Sequence, residues 1–418
     1  MSFDLHAPTR REVLLSSGVL FAWPFVPRVA QAEGRDPRFL AIVLRGALDG
    51  LAAVAPVGDP DWVALRGDKA MIIGGATPAL PLDSFFALNP AMPNLHRLFK
   101  AGHASIVHAV ATPYRDRSHF DGQDVLESGL PDPSTADSGW LNRALGTLDA
   151  GGSVDMPGRQ AFAVGPITPL VVRGAAPVMS WVPPRLPQVS EDTTRRLLDL
   201  YHHIDPSLAR VLEDHLDLSA IARAGGLDAA PSSGAGPVIQ VGGIAQVRSY
   251  FSETTGAAAK FLASPTGPRV GALALDGWDT HVNEGAVGGR LAALLSALDG
   301  AIGAIESNMG GAWDETVVVM ITEFGRTARI NGNDGTDHGT ATVALLVGGA
   351  LNGRRVIADW PGLKNTDLYQ SRDLKPTTDL RAVLKGLLKD HLHLDEQVLA
   401  AKIFPGSADV KPITGLLA

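Results

Sequence analysis

The sequence predicts an α/β fold: a doubly wound, mostly parallel sheet with helices on both faces. Three observations carry that expectation. Five continuous apolar runs, at residues 38–44, 104–110, 269–275, 316–321 and 342–347, lack the alternation of a half-exposed strand and read as strands covered on both faces. Between the third and fourth runs, Leu291, Leu294, Leu295, Leu298, Ile302 and Ile305 recur at helical spacing over residues 289–305. Strands alternating with helices build a doubly wound sheet, and such sheets bind ligands beyond the carboxyl ends of their strands.

The first segment is an export signal. Thr9-Arg10-Arg11 precedes an apolar stretch to about Val26, and Ala30-Gln31-Ala32 offers a small-x-small cleavage site before Glu33. Paired arginines directly ahead of the apolar stretch mark a twin-arginine (Tat) signal over residues 1–32, with the Tat translocase as partner during export and a periplasmic or secreted mature protein. The stretch is too short to span a bilayer as a helix, and Pro24 and Pro27 punctuate its end. No later segment is long and apolar enough to cross, so no membrane span is expected after cleavage. The chain has no cysteine, which excludes disulfides, thiolate metal sites and a cysteine nucleophile. Removing residues 1–32 takes away three arginines and two acidic residues, moving the net charge from -8 to -9 and arguing against nucleic acid or an anionic membrane as partner.

Residues 33–418 read as one domain. Within it, about 150–268 differ in character: Pro-rich and Gly/Ser-rich stretches surround polar helices near 191–201 and 206–224, with a loop at 225–236. This segment is expected to form an insertion or cap. His202, His203 and His215 on its helices, and His391 and His393 at the end of an expected surface helix, read as structural or solvated.

The residues just past the apolar runs are rich in metal-ligand types. After the first run, Asp49 lies in a turn between Gly46 and Gly50, where a plain turn-forming aspartate is also at home. After the second comes Arg115-Asp116-Arg117-Ser118-His119, leading into a helix expected over 122–128. Ser118 suits the N-cap, and equally a nucleophile beside amide donors and Arg115 or Arg117; His119 and Asp116 are placed to shuttle a proton or to support a ligand. After the third run, Asp279 and His281, two apart in an extended segment, can point the same way and hold one cation. Glu323 and Arg326 follow the fourth run as a catalytic pair or a structural ion pair, and Asp337-His338-Gly339 closes a Gly/Asn/Asp loop just before the fifth. Each turn has a bland explanation by itself; five together, offering Asp49, Asp279, His281, Glu323, Asp337 and His338 as candidate metal ligands, are poorly explained that way.

This order of residues resembles the alkaline phosphatase superfamily. Within it, Arg10-Arg11, Arg117-Ser118-His119-Phe120, Gly277-Trp278-Asp279-Thr280-His281, Glu323-Phe324-Gly325-Arg326 and Asp337-His338-Gly339 are similar to a family of Tat-exported bacterial proteins of unknown function. The resemblance implies that Asp279, His281 and His338 hold a first metal, that Asp49 binds a second, and that Ser118 is the nucleophile. Glu323 departs from the superfamily's pattern, which has an Asp-His pair at that strand end, and so removes one nitrogen ligand. An oxygen-rich second site of Asp49, Glu323 and Ser118 would favour Mg²⁺, Mn²⁺ or Ca²⁺, whereas the first suits Zn²⁺ or Mn²⁺.

The expected activity is therefore hydrolysis of phosphate or related esters with one or two divalent metal ions, Arg115, Arg117 or Arg326 clamping the substrate's oxygens. Ser118 is followed by His-Phe-Asp-Gly, which does not match the x-Pro-x-Arg of a formylglycine sulfatase, and no Gly-x-Ser-x-Gly elbow of a serine esterase occurs. The rival reading is a non-catalytic exported binding or assembly protein that keeps the fold.

Overall fold

The structure, a computed structural model, describes residues 35–151, 161–182, 197–198, 200–202, 205–224 and 243–418. The expected signal peptide lies outside the described residues. Among the described residues, nine strands form the central sheet: β1 (Arg38–Arg45), β2 (Ala104–Ala111), β3 (Ala161–Val164), β4 (Val178–Trp181), β5 (Val270–Asp276), β6 (Thr316–Ile321), β7 (Thr342–Val347), β8 (Arg355–Ile357) and β9 (Thr378–Asp379). Their order is β8-β2-β7-β6-β1-β5-β3-β4, with β9 beside β8 on β2. All five apolar runs are strands of this sheet.

β1 shows why the residues between its terminal arginines are uniformly apolar. Side chains alternate across a strand. Leu40, Ile42 and Leu44 enter the core that contains Leu95, Leu98 and Phe99 of α2 (Pro93–Ala101), Phe251 and Phe261 of α6 (Ile244–Ala263), and Leu291, Leu295 and Leu298 of α7 (Arg290–Met309). Phe39, Ala41 and Val43 enter the opposite core, with Trp140 and Leu141 of α4 (Trp140–Gly151) and Val383, Leu384 and Leu387 of α8 (Leu380–Leu392). Neither face meets water, so no position between Arg38 and Arg45 tolerates a polar side chain cheaply. The remaining helices used below are α1 (Gly50–Ala53), α3 (His119–Ser128) and α5 (Pro206–Ala224).

One strand runs against the rest. β1 pairs in parallel with β5 and β6, and β3 with β4 and β5, but β7 is antiparallel to both of its neighbours, β2 and β6. The start of β7 therefore lies at the edge where the other strands end. This is why a motif that precedes its strand, Asp337-His338, shares an edge with motifs that follow theirs.

The segment expected as an insertion or cap is in part sheet and core. β3 and β4 extend the sheet beyond β5, and α6 packs along α7. Ala161-Phe162-Ala163-Val164 escaped notice because a four-residue run between turn-forming residues carries too little pattern. His391 also differs from expectation: it is fully buried in α8, and its Nε2–H donates to the Arg38 carbonyl at 3.0 Å.

Burial lowers the imidazole of His391, and likewise that of His108 on β2, to about 4. Both are neutral in the fold and gain a proton on unfolding below about pH 6.5. Their contribution is present above that pH and is lost as pH falls toward 4. Unfolding free energy should drop by about 2 kcal/mol per histidine between pH 7 and pH 5, and His391→Leu should remove its share of that slope in denaturant titrations at the two pH values. A slope unchanged by the substitution would show that His391 does not carry it.

Candidate metal centre at the sheet edge

The register of the central strands assembles this edge. Arg45 pairs with Asp276, and Val43 with Ile321, so the turns that follow β1, β5 and β6 emerge side by side. Gly46 has φ +116°, and a Cβ there would stand 2.7 Å from the Asp279 nitrogen, so only glycine lets the β1 turn lie against the backbone bearing Asp279. The chain beyond β6 and the chain ahead of β7 approach as a ladder, with Gly325 N bonded to Thr340 O at 2.9 Å, Gly339 N bonded to Gly325 O at 2.8 Å, and Arg326 bridged to His338.

Three imidazoles and one carboxylate converge there. His338 Nε2 lies 2.9 Å from His119 Nε2 and 2.9 Å from His281 Nε2. Asp279 closes the group: its Oδ1 stands 3.0 Å from His281 Nε2 and 3.3 Å from His338 Nε2, and its Oδ2 stands 3.6 Å from His119 Nε2. Ring nitrogens bound at 2.0–2.1 Å around one tetrahedral ion stand roughly 3.3 Å apart. His119, Asp279 and His338 are the one group of three or more potential ligands among the described residues whose donor atoms lie mutually within 4.8 Å, and His281 Nε2 joins its edge. This is a possible His/Asp metal site whose donor chemistry and spacing fit one divalent ion.

The far nitrogen of each ring is also held. His119 Nδ1 meets Glu323 Oε1 at 2.9 Å, His338 Nδ1 donates to the Arg117 carbonyl at 2.9 Å, and His281 Nδ1 lies 3.4 Å from Asp337 Oδ1. Such contacts occupy the outer nitrogen of each ring and aim Nε2 at the group. Hydrogen bonds donated to Asp279 and then to Glu323 outweigh burial and push His119 up to about 9. Burial acts to raise the Asp279 carboxyl, but His119, His338 and Arg326 hold it well below the usual carboxylate range. Both directions show a corner that favours positive charge.

Several residues expected as ligands or clamps are engaged elsewhere. Asp49, expected to bind a second metal, is buried, accepts the Ala52 N–H at the start of α1, and forms a two-pronged ion pair with Arg66 at 2.7 and 3.0 Å. Glu323 is saturated: Oε1 accepts from His119, Gln123 Nε2 at 3.1 Å and Gly46 N at 2.9 Å, and Oε2 accepts from Thr322 at 2.8 Å. Asp337 accepts from Asn331 Nδ2 at 3.0 Å on the outer side of His281. The oxygens of Asp49 and Glu323, expected with Ser118 as an oxygen-rich second site, are thus engaged by protein donors. Of the arginines, Arg326 is buried and donates to Asp279 at 2.5 Å, Arg117 pairs with Asp373 at 2.7 Å, and Arg115 donates to the Thr112 and Tyr114 carbonyls. Asp116 is exposed.

Ser118 occupies the N-cap of α3, yet its hydroxyl makes no capping hydrogen bond. Its neighbours both touch the group, Arg117 through its carbonyl and His119 through its ring. The Ser118 N–H donates to the Tyr114 hydroxyl at 3.1 Å. Arg117 has φ 61°, a left-handed conformation rare for a side chain of its size. Sequence reasoning missed Arg66, Glu284, Gln123 and Asp373, none of which lies in a motif.

A family pattern described as "Protein of unknown function (DUF1501)" matches residues 100–403. Among curated proteins none matches the sequence. Among solved structures the chain is similar to a protein in the alkaline phosphatase superfamily from Vibrio parahaemolyticus, with 12% identity over 90% of this chain and 71% of that one and a TM-score of 0.39. It is similar also to a sulfatase from Pseudoalteromonas sp., with 13% identity, 84% and 68% coverage and a TM-score of 0.35. A third, the phosphonate monoester hydrolase of Agrobacterium radiobacter, has 12% identity, 86% and 74% coverage and a TM-score of 0.32.

Beneath the group, Glu284 is buried with Asp49 and Arg66 and accepts from Thr280 Oγ1 at 3.0 Å. Burial first, then the Asp49 charge, push its carboxyl up to about 8 against the pull of Arg66. A carboxyl raised in the fold costs stability as pH climbs from its unfolded value near 4.5 toward 8, because the unfolded chain ionises first. Glu284→Gln keeps a donor toward Asp49 and cannot ionise. Relative to the parent it should gain on the order of 2 kcal/mol or more between pH 5 and pH 8.5 in urea unfolding; parallel pH profiles for the two proteins would refute the assignment.

Proposed function

The chain belongs to the DUF1501 family, and from the arrangement at its sheet edge we propose that it is an exported, metal-dependent hydrolase of phosphate or related esters with Ser118 as nucleophile. The observation that carries this reading is the convergence of three Nε2 atoms on Asp279 directly beside a helix-terminal serine whose hydroxyl does not cap its helix. His119, Asp279, His281 and His338 would hold one divalent ion, and a donor set of nitrogens with one carboxylate suits Zn²⁺ or Mn²⁺. Such an ion supplies Lewis acidity and lowers the pKa of a hydroxyl bound to it. Glu323, the Arg117 carbonyl and Asp337 hold the rings in the tautomer that binding needs, and Arg326 keeps Asp279 ionised and oriented. The arginines are tied to protein groups, so the donors left for an oxyanion are the N–H groups in the first turn of α3, which have no intrahelical acceptor. Tat export and a periplasmic or secreted location complete the proposal; no helix among the described residues is long and apolar enough to cross a membrane.

The closure of Asp49 by Arg66 favours a second reading, an exported binding or assembly protein that holds a single ion. Elemental analysis of untagged protein and a panel of phosphomono-, phosphodi-, sulfate and carboxyl esters with Zn²⁺, Mn²⁺, Mg²⁺ and Ca²⁺ separate the two. One ion per chain and turnover of a phosphate-type ester are expected, with Ser118→Ala keeping the ion while losing on the order of 10³-fold in rate. Wild-type turnover in that variant removes the nucleophile assignment, and inactivity of the parent toward the whole panel favours the binding protein.

A further inference from the structure

We propose that Asp373 is a positioning residue for the metal site: one buried carboxylate that joins the two loops bearing His119 and His338 and thereby sets the spacing and tautomer of the imidazole group. This deepens the metal-site reading above and rests on it for the affinity that it predicts. Asp373 is fully buried, far along the chain from any motif, and it touches no ring of the group.

Its bonds reach both loops through the same atom. Oδ2 accepts from Arg117 Nε at 2.9 Å and from Thr340 Oγ1 at 2.6 Å and forms an ion pair with Arg117 Nη2 at 2.7 Å, while Oδ1 accepts from Arg372 at 3.1 Å. Arg117 is two residues ahead of His119, and Thr340 is two residues beyond His338. Fixing both to one oxygen fixes the distance between the rings that follow and precede them, whose Nε2 atoms stand 2.9 Å apart.

The second effect passes through the backbone. Arg117 sits at φ 61°, a conformation that costs of order 1 kcal/mol or more unless its surroundings impose it. The bonds to Asp373, a 2.7 Å bond from Arg117 Nη2 to Gln370 Oε1 and the stacking of the guanidinium over Tyr369 impose it. In that conformation the Arg117 carbonyl accepts the Nδ1–H of His338 at 2.9 Å, which turns His338 Nε2 to the centre of the group, where an ion would take its lone pair.

Asp373 is itself held firmly. Gln370 and Ser371 take φ values of 53° and 54°, the pair of left-handed residues that a tight primed turn requires, and Tyr369 and Asp373 exchange backbone bonds of 2.8 and 3.0 Å across that turn. The turn is bonded to the metal-site ladder through Ala328 N to Arg372 O at 3.1 Å and Ala341 N to Leu374 O at 3.3 Å. The carboxylate therefore stands on a rigid support.

The test compares the full-length parent with Asp373→Asn, Thr340→Val, Arg117→Gln and the Asp373→Asn/Arg117→Gln double variant. Two readouts are taken on the folded proteins: zinc affinity by competition with a chelating dye, and the protonation of His338 Nδ1 by ¹⁵N NMR without added metal. Asp373→Asn should weaken zinc binding about 10–100-fold, the range found when a partner of a ligand is removed, and should shift the His338 Nδ1 signal; Thr340→Val should lose several-fold. The double variant should bind zinc no more weakly than the worse single one, since both act through one bond. Unchanged affinity and an unchanged Nδ1 signal in Asp373→Asn, or full additivity in the double variant, overturn the proposal. If Asp373→Asn fails to fold, Thr340→Val and Arg117→Gln carry the same comparison, and zinc affinity and a Nδ1 signal unchanged in both overturn it. A parent that binds no zinc yet shows the Nδ1 shift on substitution removes the metal reading and leaves Asp373 as the residue that sets the tautomer.

Discussion

Two imidazole nitrogens, His119 Nε2 and His281 Nε2, each held 2.9 Å from His338 Nε2 beside a single carboxylate, form the constraint on which the rest of the sheet edge depends. Lone pairs so placed repel, and a carboxylate beside them gains nothing unless positive charge is shared among the group. Each surrounding contact resists collapse of this arrangement: Glu323 on His119, the Arg117 carbonyl on His338, Asp337 on His281 and Arg326 on Asp279. The supports Glu323 and Arg326 are buried while the ring faces remain partly open to solvent. That gradient, a rigid buried base under an accessible donor set, is what a site for an exchangeable ion and a substrate requires.

Topology makes the convergence possible. The residues of the group come from three separate segments, and two of those segments, the ones carrying His119 and the Asp279/His281 pair, follow strands that end at this edge. The third, carrying His338, precedes β7, and only the reversal of β7 places it with the others. In a fully parallel sheet His338 would lie at the opposite edge. The same reversal lets the chain beyond β6 run beside the chain ahead of β7, which builds the Gly325–Thr340 ladder and locates Arg326 against Asp279.

Much of the architecture was legible because burial on both faces writes itself as unbroken apolar runs, and all five became strands. β3 and β4 were not legible, since four residues at a sheet margin carry no comparable pattern. At the site, the sequence displays residue types at strand ends but not which atoms neighbours consume. Asp49 reads as a ligand until Arg66, seventeen positions on and in no motif, is found bound to both of its oxygens. Glu323 and Asp337 read as ligands and turn out to hold the outer nitrogens of ligand-type histidines, and His119, read as a shuttle or supporting group, has its Nε2 in the cluster. His391 looked like the polar end of a surface helix because Asp390 and His393 flank it, whereas helix phase turns it inward onto β1.

The central claim is that His119, His281, His338 and Asp279 jointly bind one ion. X-ray absorption at the zinc edge on protein loaded with one equivalent of zinc tests it most directly. The account predicts three imidazoles at about 2.0–2.1 Å with a carboxylate oxygen in the same shell, and the loss of one imidazole in His119→Ala. An all-oxygen shell, or an imidazole count that does not change when His119 is replaced, would contradict it.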